Sequence, residues 1–160
     1  MLVGMEDRQP DETLVVGADE VTFRVTSRES EGALLAFDLR MAPGGGPPAL
    51  HRHDPFEVYR VDRGELAFYI ADEDGVVRRR VVGAGGTVAI PSMREHTIRN
   101  ESCEEAQAFV VFTPGAGMES FARAAAAEHD LDRLLMIAAV HGIEITRPLG
   151  AAAGSANGGR

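Results

Sequence analysis

Between residues 13 and 113, apolar residues keep returning at every second position in short runs broken by turn residues, with no helix-like period among them. Such a pattern restricts the fold severely. Val15-Val16, Val21 to Thr26 and Ala33 to Met41 come first, then Glu57 to Val61 and Glu65 to Ile70. Val76 to Val82, Thr87 to Ile90, His96 to Arg99 and Gln107 to Thr113 follow at short intervals. Leu35, Phe37, Leu39 and Met41 share one face of their run, with Asp38 and Arg40 on the other, as in a half-buried strand. Seven to nine short strands without intervening helices predict an all-β, antiparallel sandwich or barrel over 13–115. The composition changes after Pro114-Gly-Ala-Gly117. Met118 to Asp130 is alanine-rich, and Asp130 is placed to cap a helix over Leu131 to His141 that Gly142 ends. Residues 116–148 are thus expected to be a helical extension packed on the barrel, with a short strand near Ile143 to Thr146. A flexible arm over 1–12 and a disordered tail over 149–160 complete the expected organisation.

At 160 residues with 44% hydrophobic content, one domain can bury a core. Net charge is −9 and the longest basic tract is Arg78-Arg79-Arg80, within a strand-like run. An acidic chain without a basic face argues against nucleic acid or an anionic membrane as partner. Cys103 stands alone, so no intramolecular disulfide can form, which suits a reducing compartment. No run approaches the ~20 apolar residues of a membrane helix, and the start has no signal-peptide core. A cytoplasmic protein is expected.

Three of the five histidines fall in one spaced pattern: Gly45-x5-His51-x-His53-x3-Glu57-x6-Gly64, then Gly85-x5-Pro91-x4-His96-x3-Asn100. Imidazole and carboxylate suit iron, nickel, manganese, copper and zinc, so His51, His53, Glu57 and His96 are candidate ligands for one divalent transition metal. His51 and His53 sit two apart, which aims both at one point from a strand. His129 and His141 lie outside the pattern and are read as ordinary surface or core residues. The pattern resembles the two motifs of the cupin family, G-x5-H-x-H-x3/4-E-x6-G and G-x5-P-x-G-x2-H-x3-N. Met93 is the departure, standing where that family usually has glycine. Methionine meets a steric penalty at positive φ that glycine does not, so the turn at 91–95 and the position of His96 stay open. The segment from Met41 to His51 and the C-terminal region look like small single-cupin proteins of the quercetin-dioxygenase-like kind.

The resemblance implies a jelly-roll barrel, a metal held by the four residues, and Glu57 as both ligand and catalytic base. Single-domain cupins are commonly dimeric, so a homodimer is also implied. By strand parity Tyr59 faces inward, and Phe68, Phe37, Met41 and Ile98 can join it, either as core or as walls of an apolar substrate pocket. Three functions stay open. The first is a metal-dependent dioxygenase for a small aromatic or enolic compound. The second is a non-redox isomerase or polyketide cyclase, and the third a non-catalytic small-molecule-binding protein.

Overall fold

The computed structural model describes residues 11–152. Eleven strands and three helices succeed one another: β1 (Thr13–Val16), β2 (Asp19–Val25), β3 (Leu35–Met41), β4 (Ala49–Arg52), β5 (Phe56–Arg63), β6 (Glu65–Ala71) and β7 (Val77–Gly83). Then come β8 (Thr87–Ile90), β9 (His96–Arg99), β10 (Ala106–Thr113), α1 (Ala116–Ala125), α2 (Leu131–Val140), β11 (Glu144–Pro148) and α3 (Leu149–Ala152). The strands form two antiparallel sheets, ordered β1-β2-β3-β10-β5-β8 and β11-β4-β9-β6-β7. Facing sheets of this kind make the jelly-roll form of the β-sandwich.

Alternation decides which side chains fill the space between the sheets. On β3, Leu35, Phe37, Leu39 and Met41 are buried in the core with Val61, Leu66, Phe68 and Val110. On its outer face Asp38 accepts from Arg24 at 2.7 Å, and Arg40 bridges Glu20 and Glu105 at 2.9 Å each. These exposed pairs fix register more than they add stability. Ten strands lie within 13–115, one more than the expected maximum: four-residue β4, which directly follows the glycines and prolines of 43–48.

The C-terminal extension carries the short strand expected near Ile143 to Thr146, observed as β11. β11 pairs with β4 and becomes an edge of the second sheet. The Asp130 side chain caps α2 by accepting from the Arg133 N–H at 2.9 Å. Gly142, at φ +76, releases the chain from that helix while the Ile143 N–H bonds the Ala138 carbonyl at 2.9 Å. α1 is bolted to the first sheet: Glu119 accepts from the Ser27 N–H and hydroxyl at 2.6 and 2.5 Å, and the Ala127 N–H reaches the Val15 carbonyl.

The expected tail over 149–160 begins instead with the helical turn α3, because the Leu149 N–H is still within reach of the Pro48 carbonyl at 3.4 Å. Its remainder lies outside the described residues, as do residues 1–10 of the expected arm. Glu12 is held, its carbonyl accepting from the Phe23 N–H at 2.9 Å. Among the described residues no helix is long and apolar enough to cross a membrane.

Candidate metal centre

β4 and β9 bring the histidines together, because His51 and His96 are register partners across those two strands. His53 follows the end of β4, and Asp54-Pro55 turns the chain into β5, where Glu57 points back into the interior. The ring centroids of His51, His53 and His96 lie 4.5–5.8 Å apart, and one nitrogen from each falls within 4.8 Å of the others. Glu57 Oε1 sits 2.5 Å from His53 Nε2 and 3.0 Å from His96 Nε2. His53, Glu57 and His96 are almost wholly buried, at 3%, 1% and 2% exposure.

Backbone carbonyls set the tautomers. His51 Nδ1 lies 3.1 Å from the Ala49 carbonyl and His96 Nδ1 lies 2.7 Å from the Arg94 carbonyl. A carbonyl can only accept, so each Nδ1 carries its hydrogen and each Nε2 presents a lone pair inward. At His96 that lone pair faces the ionised Glu57 oxygen, which is also an acceptor. A cation must stand between them, either a proton or a metal ion. Three imidazoles whose nitrogens lie within 4.8 Å of one another fit a divalent transition metal, and Glu57 stands beside two of them without joining that group. His53 Nδ1 and Glu57 Oε2 complete no hydrogen bond although buried, so the site retains unspent polar capacity.

The protonation balance suits the same use. Burial first, then the neighbouring charge of His96, pushes His51 down to about 4, so it is neutral and able to ligate at pH 7. Burial pushes the Glu57 carboxyl up, but hydrogen bonds from His53 and His96 outweigh it and hold the group at about 2. His96 moves up from its ordinary value: burial opposes the charged ring, and the Glu57 bond overcomes that opposition. Burial, then the Glu57 charge, raises the Tyr59 hydroxyl well above its usual range, so it keeps its proton.

Met93 does take the left-handed conformation, at φ +59, with its side chain 48% exposed. The turn therefore keeps the shape glycine would give it. Its N–H bonds the His53 carbonyl at 2.8 Å, tying the approach to β9 to the end of β4. His96 pairs with His51 across β9 and β4, and its ring nitrogen joins those of His51 and His53.

The cluster opens on a cavity of about 230 Å³. Phe37, Met41, Tyr59 and Ile98 line it, whereas Phe68 does not. Phe68 is fully buried beside Tyr59, with ring centroids 5.4 Å apart, in the packed part of the barrel. Parity assigns the inner face, but says nothing of position along the barrel. Several walls were not foreseen: Phe112, whose ring stands 5.8 Å from that of His53, Met118 and Phe121 of α1, Ala138 of α2, and Ile143 and Ile145 beside or within β11. Asp19 is a further lining residue that sequence reasoning passed over as a turn residue.

Residues 37–112 match the family described as Cupin domain. Curated protein sequences offer no match. Among solved structures, a mutant of Bacillus subtilis oxalate decarboxylase is 27% identical with a TM-score of 0.57, covering 66% of this chain and 28% of that one. An oxalate oxidase structure is 27% identical with a TM-score of 0.51, covering 71% of this chain and 59% of that one. An RmlC-like cupin from Shewanella frigidimarina, 20% identical with a TM-score of 0.54, covers 66% of this chain and 86% of that one, a likeness of fold. The matched two thirds of the chain thus span little more than a quarter of the decarboxylase.

Proposed function

Since residues 37–112 of this chain are a cupin domain, we propose that it holds one divalent transition metal and acts as a metal-dependent dioxygenase on a small aromatic or enolic compound. One observation carries this proposal: three histidines and a buried carboxylate converge at the wall of a cavity that is otherwise mostly apolar. That the decarboxylase and oxidase above are each 27% identical to this chain lends support to chemistry on a small oxygen-bearing molecule.

His51, His53 and His96 would hold the ion through ring nitrogens, with Glu57 as the fourth ligand. A bound divalent transition metal supplies a Lewis-acid centre and, for iron, manganese, nickel or copper, a redox partner for dioxygen. The Ala49 and Arg94 carbonyls keep His51 and His96 oriented. Glu57 is ligand and base. An ion there would keep Glu57 ionised, and its second oxygen, Oε2, which completes no hydrogen bond, would be the atom that accepts a substrate proton. Tyr59 keeps its hydrogen and stands beside that carboxylate, placed to donate to a substrate oxygen. Phe37, Met41, Ile98 and Phe112 exclude water from the reacting region.

Metal analysis of protein purified without a histidine tag should find close to one equivalent, absent from His51→Ala/His53→Ala. Oxygen uptake with flavonols, diketones and catechols then tests the reaction. Full metal retention by the double variant would overturn the ligand assignment. Turnover with zinc and no uptake would replace oxygenation with Lewis-acid chemistry. In Glu57→Gln, turnover should fall more than metal occupancy, because the amide can still ligate but cannot accept the proton. A homodimer and a cytoplasmic location belong to the same proposal. The exposed Leu131, Met136 and Val140 of α2 and the free Cys103 support them. Light scattering that gives a monomer mass would remove the dimer.

A further inference from the structure

The cavity contains a second polar point that the proposed chemistry leaves unused. Asp19 opens β2 and pairs in register with Met41, whereas Glu57 is aligned through Phe112 with Leu35. The two carboxylates therefore stand at opposite ends of the strand rows of one sheet, and both line the same cavity. Asp19 Oδ2 accepts the Gly46 N–H at 3.2 Å. Asp19 Oδ1 is buried and completes no hydrogen bond. A Cβ at Gly45 would lie 2.5 Å from Oδ1, 2.8 Å from the Ala42 carbonyl and 2.9 Å from the Met41 side chain, so only glycine fits beside that oxygen. Burial pushes the carboxyl up to about 6, against the opposing pull of the Gly46 N–H, the Arg99 charge and, more weakly, the Ala42 N–H, whose approach falls short of a full hydrogen bond to Oδ1.

Stapling the glycine loop accounts for Oδ2 alone. A neutral asparagine would do it without burying a charge, and Oδ1 would still lack a role. The rest of the lining supplies a second constraint. The chain contains no lysine, and no arginine lines the cavity. A dicarboxylate would share the ion's charge with Glu57 at one end, and towards Asp19 it would find a second carboxylate with no cationic side chain lining the cavity. A ligand with a hydrogen to donate would satisfy Oδ1 instead.

We propose that the cavity takes an uncharged or cationic, largely apolar ligand that meets the histidine cluster at one end and donates a hydroxyl or amine hydrogen to Asp19 Oδ1 at the other, and that it rejects dicarboxylates such as oxalate. The cluster end of this assignment rests on the metal-centred function proposed above. Asp19 is the new specificity determinant.

The test is anaerobic titration calorimetry on the zinc-loaded protein, using catechols with 4-alkyl tails of graded length. Each tail ends in a hydroxyl, a methyl ether or a methyl group, and oxalate serves as the dianionic probe. At the best tail length the hydroxyl should bind about tenfold tighter than the ether, with oxalate weakest. Asp19→Asn retains an oxygen for the Gly46 N–H but offers amide hydrogens in place of an acceptor. The preference for hydroxyl over ether should fall there to about twofold or less. Equal binding of hydroxyl, ether and methyl tails by the native chain overturns the Asp19 assignment and leaves the metal centre standing. So does a hydroxyl preference that survives unchanged in Asp19→Asn. Oxalate binding as tightly as the hydroxyl catechol overturns the charge argument. Failure of every catechol to bind the loaded protein means that the metal-centred function itself is wrong, and this proposal falls with it.

Discussion

A methionine with φ +59 is an uncommon residue, and Met93 occupies that conformation directly before a candidate ligand strand. The left-handed region costs a non-glycine residue roughly 1–2 kcal/mol. Because the side chain is half exposed, little packing would be lost on its removal. Met93→Gly should therefore raise stability in urea by about 0.5–1 kcal/mol, the gain trimmed by the greater freedom of glycine in the unfolded chain. A loss of stability would mean that the side chain packs more than its exposure suggests. Asp19 gives a second residue-scale prediction. Its carboxyl lies at about 6 in the fold against 3.8 ordinarily, so between those values the native state binds more protons than the unfolded state. The stability it contributes falls as pH rises through that window. Asp19→Asn removes the titration, so the variant should gain on the native chain between about pH 4 and pH 7, by on the order of 1 kcal/mol after allowance for solvent screening. Denaturation at both pH values measures it, and a constant difference would refute the shift. The four candidate ligands were legible because spacing alone defines them. Asp19 was not, since a lone aspartate between two short strands looks like any turn residue and its burial depends on a loop more than twenty positions away.

The glycine loop before β4 shows what an element conceals from sequence. Read locally, Pro43 to Pro48 is only a strand breaker. In the fold it lies clamped on β9: the Gly44 N–H bonds the Asn100 carbonyl at 2.8 Å, the Thr97 hydroxyl bonds the Pro47 carbonyl at 2.8 Å, and Arg99 donates to the carbonyls of Gly44 and Gly46. A Cβ at Gly46, whose φ is +99, would overlap the Ile98 carbonyl. Gly46→Ala should cost about 2–4 kcal/mol, combining backbone strain with the clash. It should also weaken metal binding, because this loop sets the register of β4 and hence the position of His51. A thermal melt and a metal titration read the two effects, and a stability loss with unaltered metal affinity would separate the loop from the site. Longer strands announced themselves by alternation, and the ends of α2 by Asp130 and Gly142. β4 escaped because four residues give too short a pattern beside so many glycines and prolines. Where the helices dock was also beyond sequence, since an apolar stripe names the face that is buried and not the surface that buries it.

At the scale of the molecule, the cavity is shared between the barrel and the segment that follows it. Met118 and Phe121 of α1 wall it although neither lies within residues 37–112. Met118→Ala combined with Phe121→Ala should lower stability by about 2–4 kcal/mol and weaken apolar ligands by about tenfold, while leaving metal content unchanged. Loss of metal along with ligand affinity would show that the helix supports the cluster as well as the cavity. All four candidate ligands precede residue 97, whereas the walls from α1, α2 and β11 come after residue 115. Translation proceeds from the N-terminus, so the histidines leave the ribosome before the residues that cover the cavity. For the ion proposed above, capture and enclosure would then be separable moments in the birth of each molecule. Ions available during synthesis meet the growing chain before the cavity is complete, an order of encounter that denatured full-length protein, returned to buffer with metal, does not reproduce.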